Sequence, residues 1–387
     1  MKNFSRHIWI YQFFRQPVKL FLKLRFGYTG AKEKPLPSPS IILANHTTNY
    51  DPLMVAASYR AHMYFVAGEH VFRTGFAGRL LRACFAPIAR VKGTTDARTV
   101  MEVLKCVHAG RNVCIFAEGD RSFNGLTCDI LPSTGKLVRA SGAALVTYRI
   151  EGGYFASPRW SRTLRRGKVY GHEVARYSPE ELKDMTNDEV NAIIKRDLYE
   201  DAYARQSVEH TRFTGKRLAE GIEAGLYLCP SCKRVQTITG KGDRFACSCG
   251  LHGRYTEYGM LEGDALPFST VTQWDLWQTE TFFQRAAAAS NDEPLFEDAG
   301  QRFFRLRPDE QLLEEGTLRM YGGRFMIGDH SVKLSDIVNL AIHGRMTIVF
   351  STHDGQYYEL RSLIDRSAPK YEVAWRACLE RGRAANT

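Results

Sequence analysis

The chain has 387 residues, 44% of them hydrophobic, and a formal net charge of +11. That length exceeds one small domain and allows two or three, each with its own core. The cationic surplus implies an anionic partner: a lipid headgroup, a phosphorylated substrate or nucleic acid. No apolar run approaches the ~18 residues of a membrane-crossing helix.

Residues 1–32 carry seven Lys or Arg and no acidic residue, interleaved with Phe4, Trp9, Phe13, Phe14, Phe21 and Leu22. Arg15, Lys19 and Lys23 recur every four residues and share one helical face. Pro17 should break the segment into two short helices. Basic, aromatic helices of this kind suit the plane of a membrane interface, whereas a plain helical hairpin would pack on the domain behind it. Charges recur through the apolar stretch and no small-residue cleavage site follows, so a signal peptide is not expected. The expected location is cytoplasmic, peripheral on the cytoplasmic face of the membrane. Scattered Cys84, Cys106, Cys114, Cys128 and Cys378 read as reduced thiols.

A Pro-rich linker, Glu33–Ser40, precedes an α/β alternation. Strands are predicted at Ile41–Ala44, Asn112–Ala117 and Ala143–Tyr148, with a helix at Ala97–Ala109 closed by Gly110. Ser178-Pro179 and Thr186 with Glu189 are helix starts, and the helical part is predicted to run to about Ile222.

Two polar motifs follow strands, where open α/β sheets place ligands. The first is Asn45-His46-Thr47-Thr48-Asn49-Tyr50-Asp51. A His and an Asp five apart can meet in one turn. The carboxylate then fixes the imidazole tautomer and leaves the other nitrogen as a base for a hydroxyl. The second is Phe116-Ala117-Glu118-Gly119-Asp120-Arg121-Ser122. Arg121 offers a planar donor fork for phosphate, Gly119 admits close backbone approach, and Glu118 could orient Arg121 or bind a ligand hydroxyl.

In order and in spacing, these motifs resemble the 1-acylglycerol-3-phosphate acyltransferase family over roughly residues 35–220. Its first motif, Asn-His-x4-Asp, is matched by Asn45, His46 and Asp51. Its third, Phe-Pro-Glu-Gly-Thr-Arg-Ser, is matched at Phe116, Glu118, Gly119, Arg121 and Ser122, with Ala117 for Pro and Asp120 for Thr. The run ending in Arg90 looks like the second motif, and Ala144–Tyr148 is a degenerate fourth, with Thr147 near the expected Pro. The resemblance implies His46 as general base, oriented by Asp51. It implies acceptor binding by Asn45, Arg90, Glu118, Gly119, Arg121 and Ser122. The donor would be acyl-CoA or acyl carrier protein, and the acceptor a lysophospholipid such as 1-acylglycerol-3-phosphate, giving phosphatidate. Asp120 adds negative charge beside the expected phosphate site and leaves the acceptor's identity open. The basic run Arg159, Arg162, Arg165, Arg166, Lys168 reads either as a contact for membrane or donor phosphates or as a solvated loop.

Cys229-Pro230-Ser231-Cys232 and Cys247-Ser248-Cys249 flank a short predicted hairpin. Four thiolates so placed can hold a structural zinc, with His252 as a substitute ligand for the tight second pair. This looks like a zinc ribbon serving protein contact or domain spacing, and nucleic acid is not expected as a partner. The acidic, Ala-rich stretch near 285–300 reads as a connector or exposed helix. From 302 the texture is β, with turns at Gly322-Gly323, Gly328-Asp329 and His353-Asp354-Gly355 and a closing helix at 367–381. That region resembles a PH-like or GRAM-like domain.

The expected fold class is therefore α/β. Amphipathic membrane-interface helices at 1–32 would precede an acyltransferase domain at 33–225, a mixed sheet flanked by helices. A zinc ribbon at 226–258 and a mainly β, PH-like domain at 300–382 would follow. The expected activity is acyl transfer to a lysophospholipid at a surface of anionic membrane lipids. The contrasting reading is a non-catalytic lipid-binding scaffold on the same fold.

Overall fold

The structure, a computed structural model, describes residues 4–31, 34–69, 79, 82–91 and 97–384; parts of the expected N-terminal segment and linker (1–3, 32 and 33) lie outside them. Two compact units emerge. The first holds the described residues up to Pro158 together with Leu164–Gly215, and the second holds Arg159–Thr163 and the described residues from Lys216 onward.

The first unit opens with α1 (Phe4–Phe26) and β1 (Tyr28–Gly30). Next come β2 (Ser40–Ala44), α2 (Asp51–Ser58), β3 (Met63–Gly68), β4 (Ile88–Arg90), α3 (Ala97–His108) and β5 (Asn112–Phe116). Then follow α4 (Ser133–Ser141), β6 (Ala144–Glu151), α5 (Gly153–Ala156), β7 (Val169–Tyr177), α6 (Pro179–Asp184), α7 (Asn187–Leu198) and α8 (Ala202–Glu209). The strands form one mixed sheet in the order β1-β7-β6-β2-β5-β3-β4. Every pairing is parallel except β6 with β7. Strand β2 is buried along its whole length, as a central parallel strand with both faces covered must be. Ile41, Leu43, Val113 and Leu145 of the sheet pack with Val103 and Val107 of α3 and with Val190, Ile194 and Leu198 of α7.

Helix α1 is continuous, with Pro17 inside it, where two short helices were expected. A mid-helix proline removes one hydrogen bond and costs about 3 kcal/mol, but it need not end a helix held at both ends. His7, Ile10 and Tyr11 are buried before Pro17, and Leu22 and Phe26 after it. The Tyr11 hydroxyl donates to Ala56 O at 2.9 Å, and His7 Nδ1 meets the Tyr64 hydroxyl at 3.1 Å. Helices beyond β7 also end earlier than expected. α8 stops at Glu209, and the backbone is irregular up to a 3-10 turn at Ile222–Ala224.

The second unit contains β8 (Ile238–Lys241), β9 (Arg244–Cys247), β10 (His252–Tyr255) and β11 (Leu261–Glu262), an antiparallel sheet in chain order. After α9 (Val271–Ala287) come β12 (Phe296–Arg305), β13 (Gln311–Met320), β14 (Arg324–Ile327) and β15 (His330–Lys333). The chain closes with β16 (Ile337–His343), β17 (Thr347–Thr352), β18 (Tyr357–Ser362) and α10 (Pro369–Ala384). These seven strands form an antiparallel sheet in the order β15-β14-β13-β12-β18-β17-β16. The acidic stretch near 285–300 is thus a helix end, an exposed connecting loop and the start of β12, and its last part is not solvated. The reason lies in Asp298, which is fully buried. It accepts from Lys370 Nζ at 2.9 Å and from the Tyr371 hydroxyl at 2.5 Å. Burial pushes the Lys370 ammonium down to about 8, against the pull of Asp298.

The basic run of residues 159–168 is divided: Arg159 and Arg165 are buried, whereas Arg162, Arg166 and Lys168 are exposed while also bonding within the protein. In the second unit Arg159 is buried and donates to Gly344 O at 2.6 Å and Ile342 O at 3.1 Å, while Arg162 Nε donates to Asp365 at 2.6 Å. In the first unit Arg165 is buried, Arg166 Nε donates to Leu24 O at 3.1 Å, and Lys168 lies 3.4 Å from Glu209.

Candidate active site

Parallel pairing of β2 with β5 sets Ala44 beside Phe116, and Ala117 N continues the ladder to Ala44 O at 3.2 Å. The two polar motifs therefore leave the sheet side by side. In the first, Asp51 opens α2 and Pro52 follows in its first turn, where its missing N–H is harmless. An acidic group there also suits the helix dipole.

The Asp51 carboxylate has no solvent exposure. Its Oδ2 meets His46 Nδ1 at 2.9 Å and accepts from Thr47 N at 2.6 Å and Thr48 N at 2.8 Å. Its Oδ1 accepts from Thr48 Oγ1 at 2.6 Å. A buried carboxylate needs such donors, and together they fix its orientation. His46 stacks on Phe116 with centroids 4.5 Å apart, and its side chain keeps 22% exposure. The imidazole is thus clamped on one nitrogen and one face yet reachable from outside. Gly153 allows the loop to close, because a Cβ there would lie 2.2 Å from Thr47 Oγ1.

The second motif turns sharply at Gly119, whose φ is +67°. A Cβ on Gly119 would sit 2.9 Å from Arg90 Nη1. Arg90, at the end of β4, is thereby brought to the Gly119–Arg121 turn from two strands away. Asp120 folds back and accepts from Arg121 N at 2.9 Å. Its carboxylate caps the turn's own backbone.

Three other residues implied as acceptor-binding have partners inside the protein. Asn45 pairs its amide with both backbone groups of Ile150, at 2.9 and 2.7 Å, and so ties β2 to β6. Ser122 Oγ accepts from Gly125 N at 2.7 Å and closes a turn. Glu118 is buried, and its two oxygens accept from His46 N and Cys128 N, each at 2.5 Å. Desolvation pushes the Glu118 carboxyl up to about 8 against the opposing pull of those donors, and the nearby Asp51 charge adds to the rise. Thr147, in place of the fourth motif's proline, is buried in β6; its hydroxyl donates to Asp197 Oδ2 at 2.9 Å and accepts from Ala175 N at 3.1 Å.

In the second unit Cys229, Cys232, Cys247 and Cys249 gather their Sγ atoms within 4.8 Å of one another. Cys229 and Cys249 are 3.8 Å apart, and Cys232 and Cys247 are 3.7 Å apart. Tetrahedral zinc with ~2.3 Å bonds to sulfur needs sulfurs about 3.8 Å apart, so the group fits. Burial, the largest single influence, raises the Cys232 thiol, but hydrogen bonds from Arg234 and the neighbouring thiols together outweigh it and lower Cys232 to about 6, toward the thiolate a metal needs. His252 stands apart: its Nδ1 lies 2.9 Å from Gly250 O.

Gly119→Ala should lower stability by about 1 kcal/mol through its positive φ, because the Arg90 guanidinium, the far end of a flexible side chain, can give way to the new Cβ. In a double-mutant cycle read by chemical denaturation, an Arg90→Ala background should leave that cost unchanged. A cost that vanished in that background would show that contact with Arg90, and not the backbone conformation, requires the glycine.

None of the curated proteins compared matches this chain. The crystal structure of the 1-acyl-sn-glycerophosphate (LPA) acyltransferase PlsC from Thermotoga maritima is similar, at 19% identity over 51% of this chain and 82% of that chain, with a TM-score of 0.43. Residues 25–151, which carry the His46–Asp51 pair, Arg90 and the Glu118–Ser122 turn, match the family model for acyltransferases.

Proposed function

We propose that the protein moves a fatty acyl group from a thioester donor, acyl-CoA or acyl carrier protein, to the free hydroxyl of a lysophospholipid. The simplest acceptor is 1-acylglycerol-3-phosphate, with phosphatidate as product. The observation carrying this reading is the 2.9 Å contact between His46 Nδ1 and an Asp51 carboxylate that is itself held by the loop's own donors. With the proton on Nδ1, Nε2 accepts the hydroxyl proton as the oxygen attacks the thioester carbonyl. The new C–O bond forms, the C–S bond breaks, and the departing thiolate recovers the proton from the imidazolium. Arg90 and Arg121, converging on the Gly119 turn, supply positive charge for the acceptor's phosphate. Asp120 tempers that charge and favours an acceptor with an added hydroxyl or cationic group.

Helix α1 supports a membrane setting. Trp9 (66% exposed), Phe13 (58%), Leu20 (58%) and Leu24 (63%) form a stripe facing away from buried His7, Tyr11, Leu22 and Phe26. Among the described residues no helix is long and apolar enough to cross a membrane. The stripe, with Arg6, Lys19 and Lys23 beside it, suits peripheral docking on anionic lipid, on the cytoplasmic face. The four cysteines would hold a structural zinc, which would stabilise their hairpin. A seven-stranded antiparallel sheet followed by a closing helix supports a PH-like reading of the C-terminal region.

With membranes, acyl-CoA or acyl carrier protein and a lysophospholipid panel, the protein should form diacyl product, and His46→Ala should lower the rate by about 10²–10⁴-fold. Equal product from His46→Ala, or none from the wild type with any acceptor, would leave only the scaffold reading. Metal analysis should find about one zinc per chain, reduced in Cys229→Ser; unchanged zinc in that variant would rule out the cysteine site. Replacing Trp9, Phe13 and Leu20 by Glu should abolish flotation with anionic liposomes while circular dichroism stays constant, and undiminished flotation would exclude α1 as the docking element.

A further inference from the structure

Glu118 sits one residue before the turn that carries Gly119 and Arg121, and the resemblance assigns it to the acceptor. Its surroundings argue for another task. The carboxylate is almost wholly buried, and each oxygen receives a short backbone N–H bond. One donor, His46 N, belongs to the loop of the base. The other, Cys128 N, belongs to the return of the loop that contains Gly119, Asp120 and Arg121. We propose that Glu118 is a positioning residue whose carboxylate clamps the base loop to the cationic turn, and that it does not contact the acceptor. This rests on the reading of His46 as the base.

Bonds from N–H to an ionised, desolvated carboxylate are among the strongest available to a loop. The turn has further ties, from Gly125 N to Ser122 Oγ at 2.7 Å, from Ala202 N to Gly125 O at 3.0 Å and from Thr127 N to Glu200 O at 3.0 Å. These fix the far part of the turn to α8 and its approach, and they do not reach the base loop. The clamp therefore ties the loop of the base to the loop of the cations, beyond the strand pairing of Ala44 with Phe116 that brings the two motifs together. A misplacement of about 1 Å there can reduce a rate by roughly 10²-fold.

The clamp works best ionised, because a protonated carboxyl turns one acceptor into a donor facing an N–H. The titratable groups acting on it are Asp51 from the first loop and Cys128 from the second. Because burial raises this carboxyl to about 8, the folded protein holds a proton that the unfolded chain loses in its ordinary range near 4.5. As pH rises through that window, this group makes folding less favourable. The same rise completes the clamp, so activity should climb while stability declines.

The test uses the full-length protein labelled with 15N-histidine and 15N-cysteine. The His46 and Cys128 amide resonances should shift together with pH and share one midpoint, and Glu118→Gln should abolish both shifts. Independent or absent shifts in the wild type would overturn the clamp, even if the variant failed to fold. In the acyl-transfer assay, Glu118→Gln should lower kcat by roughly 10–10²-fold, with KM for the lysophospholipid within about two-fold of wild type. The variant should also lose an acid limb near pH 8. A raised KM with unchanged kcat would make Glu118 an acceptor ligand and overturn the proposal. A wild type without transfer activity but with paired titration would sink the acyltransferase reading and leave the bridge itself standing.

Discussion

A carboxylate that has left water must find its donors within the protein, and Asp51 draws them from three successive residues of its loop, His46, Thr47 and Thr48. Two backbone N–H groups, two hydroxyls and the His46 ring converge on it. Remove the charge and the loop loses the centre around which it folds. Around this centre the imidazole is held on one edge by Asp51, on one face by Phe116 and through its backbone by Glu118. An imidazole held this way loses little orientational freedom when a hydroxyl arrives, and such pre-organisation is where general-base sites gain much of their rate.

Two buried carboxylates in one site would be unfavourable if both were charged without compensation. Here the compensation is unequal. Asp51 receives more donors than Glu118, and Glu118 is the carboxyl driven upward, partly by Asp51 itself. One carboxylate thus holds the imidazole by a hydrogen bond, and the other is driven upward by burial. Asp120, in the same turn, accepts from the Arg121 backbone.

The dyad was legible because side-chain identity and spacing carried it: a His, an Asp five residues later and a proline behind it define a turn into a helix. The sheet's strands were legible as short apolar runs. Glu118's clamp was not, because its partners are backbone N–H groups, which leave no mark in a sequence. The same blindness hid Asn45 on the Ile150 backbone and Arg159 on the carbonyls of Ile342 and Gly344. Asp298 looked like solvated acid because its counter-ion, Lys370, lies far along the chain. Helix α1 ran through Pro17 because packing on both sides outweighed a local rule.

The side-by-side exit of the two motifs depends on strand register, not on the length of chain between them. The length of chain between β2 and β5 does not set the position of His46 relative to Arg121, since both motifs follow directly on the paired Ala44 and Phe116. A one-residue slip within β2 or β5 is another matter. It would move one motif by about 3.3 Å along the sheet and turn its side chains to the opposite face. The architecture thus leaves wide room for divergence between its strands and almost none inside two of them.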